Sequence, residues 1–387
     1  MLRNLITAFK FPTLFVARLL YRLFMGLPMK ENTILFSSFE GNACTCNPKH
    51  LYQYIREHCG DRYRCVWVVK AGVSAPECEA TVRFLSIQHI VALATSRWII
   101  TNLGIEPFFT CRKGQIVVNT WHGGGAYKNS TLGTQIKTSL YREYARKVRA
   151  ENTTYYLSSC RLFTEFLGDA WQESPAKFLT VGSPRDDLFF RSDTIIKREK
   201  ILKSLNLSEE YKYLLYAPTF RGDWNGLNMK LNDLHLDVKR LLATLEMRFG
   251  GKFQLLFHQH ICTTGWSPEG KNIIDVSQHP DIQELMLVAD VFMTDYSSCV
   301  WDWAQLKKPG FLFTPDIDSY DKERGFYTPV ETWAFPYART NEELEKLVLS
   351  YDETRARRKI SEHLERLGSY EVGKASEMTA QKIGLIF

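Results

Sequence analysis

The sequence predicts an α/β protein with two doubly wound parallel-sheet domains that face a cleft, preceded by an N-terminal amphipathic helix. Short apolar runs alternate with amphipathic stretches after Pro28, as in parallel sheets covered by helices on both faces. The charged helical run Ser192–Leu207 divides two such sets. A chain of 387 residues with 45% apolar and 24% charged residues is also too long for one ordinary core.

The N-terminal segment, residues 1–28, combines apolar and basic residues. Its Arg and Lys residues interrupt every apolar run before it reaches the roughly 18 to 20 residues that span a bilayer. No small-residue cleavage site follows, which argues against a signal peptide. The helical spacing of apolar residues from Leu14 to Phe24 predicts a helix that lies in the plane of an anionic membrane surface. An ordinary amphipathic helix packed on the protein is the alternative.

The first domain is predicted over residues 29–190. Helices are expected at Pro48–His58 and Thr138–Val148. Its candidate strands are Thr33–Ser37, Arg64–Val69, Arg83–Leu85, Trp98–Thr101, Gln115–Thr120, Tyr155–Ser158 and Phe178–Val181.

The second domain is predicted over residues 191–387 and ends in a charged helical tail from Asn341 to Ile386. Its other helices are expected at Leu234–Arg248, Ile282–Ala289 and Val300–Leu306. Its candidate strands are Tyr213–Tyr216, Phe253–Phe257, Ile273–Asp275, Val291–Thr294 and Phe311–Phe313.

Charge and cysteine content exclude several classes of protein. The net charge of +6 is mild and is not concentrated in one basic stripe, so no nucleic-acid partner is expected. The nine cysteines are irregularly spaced and include no CxxC pair, which argues against a zinc ribbon. Buried thiols in a reducing cytosol are the expected state.

Polar residues directly follow several predicted strands. Open parallel sheets bind ligands beyond the carboxyl ends of their strands, so such residues are candidate site residues. Each motif alone also has a plain interpretation as a loop. Five of them at strand ends, divided between two domains, indicate one functional site.

The most informative of these motifs is Trp121-His122-Gly123-Gly124-Gly125, which follows the strand Gln115–Thr120. A histidine at this position can act as a general base near neutral pH. Glycines allow the backbone to approach a ligand closely and leave N–H groups for an anion. A glycine turn with a solvent-facing histidine is the alternative.

Two further strand ends carry groups suited to phosphate or ribose. Arg185 offers a guanidinium that suits phosphate, although pairing with Asp186 or Asp187 is the alternative. Pro218 and Thr219 lie in a turn that could hold a ribose or a phosphate. Taken alone, the second motif is better explained as a plain proline turn.

A pair of histidines, His258 and His260, follows the strand Phe253–Phe257. Alternate residues of an extended segment face the same side. A third zinc ligand is not evident nearby, so phosphate neutralisation or acid–base chemistry is favoured over metal binding.

A serine pair follows the strand Val291–Thr294 and precedes a helix. Hydroxyls and N–H groups at a helix start form an anion site, so Ser297 and Ser298 are candidate phosphate ligands. An N-cap role for Ser298 is compatible with this. Asp302 lies one helical turn further on and suits a ribose hydroxyl better than a phosphate.

The motifs together resemble the CDP-glycerol glycerophosphotransferases, which are the teichoic acid primases and polymerases of Gram-positive bacteria. The resemblance covers about residues 30 to 330. The short segments Lys308-Pro309 and Arg324-Gly325-Phe326-Tyr327 extend it. Its main segments are Thr120-Trp121-His122-Gly123, Gly182-Ser183-Pro184-Arg185, Tyr216-Ala217-Pro218-Thr219, Leu255-Leu256 with His260, and Thr294-Asp295-Tyr296-Ser297-Ser298 with Asp302.

The resemblance implies a GT-B type fold of two Rossmann-like domains. It implies a CDP-glycerol or CDP-ribitol donor and an undecaprenyl-diphosphate-linked glycan acceptor, handled by a peripheral protein at the cytoplasmic face of the cell membrane. Neither cofactor nor metal is expected. The family's donor-binding positions correspond to His122, Gly123, Gly124, Gly125, Arg185, Pro218, Thr219, His258, His260, Ser297, Ser298 and Asp302.

The implied reaction assigns His122 as the base that takes the proton of the acceptor hydroxyl, with His260 as a second catalytic residue. Arg185, His260 and the amides near Ser297 would neutralise the phosphates while CMP leaves. Alternatives are a ribitol-phosphate transferase, a GT-B glycosyltransferase that uses a nucleotide sugar, and a non-catalytic lipid-carrier or scaffold protein. The compact layout favours a primase over a long-chain polymerase.

Two departures from the family pattern stand out. The family often has His-Gly-Thr-Pro where this chain has His122-Gly123-Gly124-Gly125. It also often has a basic residue, a spacer and His-Pro where this chain has His258, Gln259, His260 and Ile261. These positions are where a different acceptor or donor polyol is expected to show.

Overall fold

The computed structural model describes residues 2–75, 77–129, 140–219, 230–231, 235–259, 264–265 and 267–386. The chain divides into two compact units. The first comprises Met1–His122, Gln135–Asp187 and Tyr370–Phe387, and the second comprises Gly123–Thr134 and Leu188–Ser369. The predicted second catalytic residue His260 lies outside the described residues.

A parallel sheet forms the centre of the first unit. Its strands are β1 (Lys30–Ser37), β2 (Arg64–Val69), β3 (Thr81–Arg83), β4 (Ser96–Thr101), β5 (Ile116–Asn119), β6 (Tyr155–Ser158) and β7 (Phe178–Thr180). They pair in the order β3-β2-β1-β4-β5-β6-β7, and every pair is parallel. The order reverses between β1 and β4, which makes the sheet doubly wound as predicted.

Helices of the first unit accompany this sheet. In chain order they are α1 (Leu2–Phe24), α2 (Cys46–Cys59), α3 (Ile87–Thr95), α4 (Leu140–Asn152) and α5 (Arg161–Trp171). Buried side chains pack on both faces of the sheet, in one cluster with α2 and in another with α1 and α3. The near-continuous burial along β2 and β4 is that of strands covered on both faces.

The second unit has the same design. Its strands are β8 (Tyr211–Tyr216), β9 (Lys230–Leu231), β10 (Lys252–Phe257), β11 (Thr264–Gly265), β12 (Ile273–Asp275), β13 (Val291–Thr294), β14 (Gly310–Phe313) and β15 (Tyr337–Ala338). A six-stranded parallel sheet has the order β12-β10-β8-β13-β14-β15, and β9 pairs with β11 separately. The large sheet reverses between β8 and β13, which is again a doubly wound arrangement.

Helices of the second unit lie between these strands and after them. They are α6 (Thr194–Ser204), α7 (Val238–Phe249), α8 (Ile282–Val288), α9 (Cys299–Leu306), α10 (Ile317–Glu323), α11 (Asn341–Leu349) and α12 (Glu353–Leu367). Side chains from α7 and α11 pack with those of β8, β10 and β14 in one buried cluster. Both units therefore have the α/β architecture that the alternation of apolar runs predicted.

The C-terminal segment Tyr370–Phe387 belongs to the first unit, although it follows the second in sequence. Its helix α13 (Ala375–Lys382) contacts α2. Asp187 accepts hydrogen bonds of 2.8 and 2.7 Å from the first two N–H groups of α13, and Tyr63 donates to the Leu385 carbonyl. The predicted linear domains differ from this division here and at Gly123–Thr134, because the chain crosses between units more than once.

The helix α1 exposes an apolar surface. Leu14 and Tyr21 are buried, whereas the described apolar side chains on the remainder of the helix are largely exposed. None of the helices in the described part of the chain is both long and apolar enough to cross a membrane.

A buried acidic side chain, Glu106, lies in the loop after β4 beside His89 of α3. Their Oε1 and Nε2 atoms are 3.6 Å apart, and Glu106 is only 13% exposed. Burial raises the pKa of Glu106 from 4.5 to about 7, and burial lowers the pKa of His89 to about 4. The folded state therefore favours a protonated Glu106 and a neutral His89.

Glu106→Gln is expected to stabilise the protein above pH 7 and to have little effect near pH 4. Because the folded pKa lies above the unfolded value, the wild type loses stability as pH rises from 4.5 to about 7, by up to about 3 kcal/mol. Urea unfolding at several pH values measures this difference. Glu31→Gln, at a side chain 69% exposed, is the control. Equal shifts at pH 4 and pH 8 would contradict the assignment.

Candidate active site

Two strand ends meet at the switch point of the second unit, where β8 and β13 lie side by side. Pro218 and Thr219 follow β8, and Asp295 follows β13. The fully buried Asp295 accepts a hydrogen bond of 2.8 Å from the Thr219 N–H through its Oδ1 atom. The switch point is where open α/β sheets bind nucleotides, so Thr219 lies at the position that the fold favours for a ligand.

The serine pair Ser297 and Ser298 lies at the same switch point, between β13 and α9, and both residues are half-buried. Ser298 occupies the N-cap position, but its side chain does not cap the helix. Ser297 Oγ instead accepts a 3.3 Å hydrogen bond from the Cys299 N–H. The structure thus brings Thr219, Ser297 and Ser298 to adjoining strand ends, and their binding of an anion stays a prediction.

Asp302 lies inside α9 and is fully buried. Its Oδ1 atom accepts a 3.3 Å hydrogen bond from Nε2 of Gln283, which is itself buried. This hydrogen bond holds α9 against α8. Direct contact of Asp302 with a ribose hydroxyl stays a prediction.

His258 follows β10 and is half-buried. Its Nε2 atom lies 3.2 Å from the His279 carbonyl oxygen, which can only accept, so Nε2 carries a proton. Burial lowers the pKa of His258. A histidine that is neutral at neutral pH is better suited to acid–base chemistry or hydrogen bonding than to neutralising a phosphate.

His122 lies in the first unit, three residues after β5, and is half-buried. Its Nδ1 atom is 3.0 Å from the Asn102 main-chain oxygen. A carbonyl oxygen only accepts hydrogen bonds, so Nδ1 carries the proton and the neutral ring keeps its basic lone pair on Nε2. This tautomer is the one that a general base needs if the substrate is approached through Nε2.

Asn102 is itself held at the switch point of the first unit. Its side chain accepts a 2.8 Å hydrogen bond from the Phe39 N–H and donates one of 3.1 Å to Ser38 Oγ. Ser38 follows β1 and Asn102 follows β4, the two strands between which the sheet reverses. Aromatic rings of Phe39 and Trp121 also flank the imidazole, with centroids 5.7 and 4.3 Å from it. The orientation of His122 is therefore determined by neighbours on several sides.

The residue before His122 is strained. Trp121 has a φ of +55°, in the left-handed region that side chains other than glycine rarely adopt. Its N–H donates to Asn119 Oδ1 at 3.0 Å, and Asn47 Nδ2 donates to the Thr120 and Trp121 carbonyls at 3.0 and 3.1 Å. These hydrogen bonds offset the free-energy cost of the left-handed conformation of Trp121. That turn orients the next residue, His122.

Arg185 is almost completely buried, at 3% exposure. Its Nε atom lies 3.9 Å from Asp186 Oδ1, and its Nη1 atom donates to Cys46 Sγ at 3.2 Å. Its N–H donates to Asn47 Oδ1 at 3.1 Å. The pairing with Asp186 that the sequence left open is therefore present, and direct contact of Arg185 with a phosphate stays a prediction.

At two of the three glycines, neighbouring side chains leave no room for a Cβ atom. A Cβ atom on Gly124 would lie 2.0 Å from Cδ1 of Trp301. Gly125 has a φ of +65°, and its Cβ would lie 2.4 Å from a ring carbon of Tyr127. Trp301 and Tyr127 fill the space on the Cβ side of these two glycines, and approach of a ligand to their main chain stays a prediction.

Asn47, Asn102 and Asp295 were absent from the residues that the sequence singled out as ligands or catalysts. Asn102 and Asp295 directly follow strands, so the same strand-end rule was able to find them. Asn47 lies in the first turn of α2, where its amide joins the His122 turn to the Arg185 segment through main-chain hydrogen bonds. No feature of the local sequence indicates that long-range role.

Comparison with known proteins gives one consistent family. A teichoic acid poly(glycerol phosphate) polymerase of Bacillus subtilis is 31% identical over 84% of this chain and 44% of its own length. A protein of the same name from Bacillus spizizenii is 26% identical over 94% of this chain and 95% of its own length. The chain spans about half the length of the Bacillus subtilis relative and of a Staphylococcus epidermidis relative.

A solved structure of the wall teichoic acid polymerase TagF, a variant soaked with CDPG, is similar with a TM-score of 0.81 and 27% identity. The similarity covers 95% of this chain and 92% of that one. It confirms the predicted GT-B type α/β class. A sequence profile described as CDP-glycerol:poly(glycerophosphate) glycerophosphotransferase matches residues 19–384. This chain therefore belongs to the CDP-glycerol:poly(glycerophosphate) glycerophosphotransferase family.

Proposed function

We propose that this protein transfers glycerol phosphate from CDP-glycerol to a hydroxyl group of a membrane lipid-linked glycan and releases CMP. The observation that supports this most directly is the hydrogen bond from His122 Nδ1–H to the Asn102 carbonyl. It leaves the basic lone pair on Nε2 of a histidine at a strand end. Family membership supplies the donor class, since a TagF structure is described with CDPG.

In the proposed reaction, His122 Nε2 removes the proton of the acceptor hydroxyl. The hydroxyl oxygen then forms a bond to the phosphorus that carries glycerol, and the bond from that phosphorus to the bridging oxygen breaks. CMP leaves with the electron pair, and the proton passes from His122 to solvent. N–H groups and hydroxyls at the start of α9, around Ser297 and Ser298, stabilise the charge that develops on the phosphates.

The buried side chains Arg185 and Asp302 support this chemistry indirectly. The Arg185 side chain donates to Cys46 Sγ while its main-chain N–H donates to Asn47, and Asp302 holds α9 against α8, so each keeps a strand-end motif in place. His260 is retained as a second catalytic residue on the basis of the sequence motif alone. His258 is assigned hydrogen bonding rather than charge neutralisation, because burial lowers its pKa.

The test is a donor screen with the purified protein. CDP-glycerol, CDP-ribitol and a UDP-sugar are each incubated with a lipid-linked disaccharide, and the nucleotides and products are resolved by mass. CMP release together with an acceptor that gains glycerol phosphate supports the proposal. CMP release from CDP-ribitol alone would mean that the transferred polyol is ribitol rather than glycerol. UDP release would indicate a glycosyltransferase. Absence of any nucleotide release would indicate a non-catalytic binding protein.

Product length in the same experiment separates a primase from a polymerase. A primase adds one or a few units to each acceptor, whereas a polymerase yields a ladder of products. The sequence favoured a primase because the chain is compact. A relative aligned over 95% of its own length is named a polymerase, so compactness does not separate the two activities.

We also propose that α1 attaches the protein to the cytoplasmic face of the cell membrane. Phe15, Leu19 and Leu23 follow one another at intervals of four residues and are 71%, 54% and 71% exposed. Val16 and Leu20 form a second row, each about half exposed. A helix packed on its own protein would bury these side chains, and their exposure favours an in-plane membrane helix over the alternative.

Replacing Leu19 and Leu23 together with Asp is expected to reduce binding to anionic vesicles at least about 10-fold, because two apolar anchors become charged. Cosedimentation with vesicles of phosphatidylglycerol and phosphatidylcholine measures this. Met247→Asp, at a side chain 68% exposed on α7, is the matched control and should bind like the wild type. Unchanged binding of the double variant would remove the membrane assignment from this helix.

A further inference from the structure

The segment Gly123–Asn129 directly follows His122 and is part of the second unit, whereas His122 is part of the first. The chain therefore passes between units at the peptide bond that follows the proposed base. How firmly this segment is held determines how firmly the main chain of His122 is held. Its contacts within the second unit can be followed from one residue to the next.

Trp301 covers the main chain at the start of the segment. Its ring is fully buried, and a Cβ at either Gly124 or Gly125 would lie within 3 Å of it. The ring is fixed within α9, three residues after the N-cap Ser298. The glycine main chain consequently packs against the same helix that starts at the proposed phosphate site.

Main-chain hydrogen bonds hold the middle of the segment against residues 325–328. The Tyr327 N–H donates to the Tyr127 carbonyl at 2.7 Å, and the Asn129 N–H donates to the Gly325 carbonyl at 3.1 Å. Thr328 Oγ1 donates to the Ala126 carbonyl at 2.9 Å. An antiparallel bridge between residues 128 and 326 adds to these bonds. The segment is therefore held by regular main-chain hydrogen bonding.

The Tyr127 side chain adds a specific polar contact. Its hydroxyl and His363 Nε2 form a hydrogen bond of 2.9 Å, and both residues are 3% exposed. The two rings are nearly parallel, and the Trp333 ring lies 4.7 Å from that of Tyr127. Burial lowers the pKa of His363 to about 4, so it is neutral at physiological pH. A buried hydrogen bond of this kind fixes the position of the ring that packs on Gly125.

We infer that Trp301 and the Tyr127–His363 pair are positioning residues that hold the main chain after His122 in its reactive orientation. The inference rests on the proposed function and names three residues with no assigned role in it. On the other side of His122, the strained Trp121 turn is fixed by Asn47 and Asn119. The base is thus constrained from both directions along the chain, with only two residues between Trp121 and Gly124.

The test removes one oxygen atom. Tyr127→Phe keeps the ring contacts with Gly125 and Trp333 but deletes the hydrogen bond to His363. We expect kcat to fall about 10- to 100-fold, because misplacement of a catalytic group is costly, while KM for the donor changes less than about 3-fold. In a His122→Ala background, Tyr127→Phe should have no further effect on the residual rate.

Two comparisons make the result specific. His363→Gln places an amide near the former Nε2 position and should retain more activity than His363→Ala. Tyr351→Phe is the matched control, because this tyrosine is also buried in the second unit and its hydroxyl has no hydrogen-bond partner among the described residues. Tyr351→Phe should leave kcat unchanged.

A second readout does not depend on the substrate. In protein labelled with carbon-13 at histidine Cε1, Tyr127→Phe should shift the NMR signal of His122, assigned through His122→Ala, and Tyr351→Phe should not. An unchanged His122 signal, or effects on kcat that add in the double variant, would overturn the positioning role. Absence of nucleotide release by the wild type would instead overturn the proposed function, while the NMR result would still decide the role of Tyr127.

Discussion

His122→Ala is expected to lower the rate of CMP release by about 10²- to 10⁴-fold while the protein stays folded. The imidazole is the group with a basic lone pair held in a defined direction, because Nδ1 donates to the Asn102 carbonyl. Alanine removes both the base and this hydrogen bond. His122→Asn separates the two effects, since its amide can still donate to Asn102 but cannot accept a proton at neutral pH.

The measurement is CMP release from CDP-glycerol in the presence of acceptor, with circular dichroism and thermal melting as checks on the fold. Both His122 variants should be inactive to a similar extent. His58→Ala, at an exposed histidine of α2, is the matched control and should keep wild-type activity. A rate near that of the wild type for His122→Asn would show that another group removes the proton.

Gly124→Ala is expected to have the second largest effect, on stability as well as on activity. The added methyl group would lie 2.0 Å from Cδ1 of Trp301, and that ring is fully buried in α9. Overpacking of this kind costs typically about 1–3 kcal/mol. Relief of the clash moves main chain two residues from His122, so we expect kcat to fall about 100-fold as well.

Thermal melting and steady-state kinetics of Gly124→Ala test this expectation. Gly168→Ala is the control, because Gly168 lies in α5 and its added methyl group would meet the described residues beyond its own helical turn at 3.6 Å or more. It should be neutral or slightly stabilising, since alanine favours a helix more than glycine does. A Gly124→Ala protein with normal stability and activity would mean that the segment tolerates displacement, and would weaken the role given to Trp301.

Much of the fold follows from local sequence. The predicted strands Arg64–Val69, Tyr155–Ser158 and Val291–Thr294 match observed strands at both ends, because continuous apolar runs mark strands that are buried on both faces. The edge strand β15 has two residues and carries no such run, so it escaped prediction. Helix α5 was not among the helices named from the sequence, although its apolar residues recur with helical spacing.

The candidate site was likewise predictable in part from local sequence. Strand-end motifs predicted where His122, Thr219 and Ser297 lie, because the carboxyl ends of parallel strands always carry the ligand-facing loops. The burial of each side chain and its hydrogen-bond partners were not predictable in this way. Arg185 and Asp302 appear in the sequence as polar residues near a site, and only packing shows that both are buried.

The sequence by itself determined the α/β class, the two sheets and the set of strand-end motifs, because each depends on periodicity and on residue types within a few positions. Tertiary structure alone decided which nitrogen of His122 carries the proton, since that depends on a carbonyl twenty residues away. It also decided why Gly124 is glycine, since Trp301 lies far from it in sequence. Interactions between distant residues depend on how the chain crosses between units, and local patterns do not record those crossings.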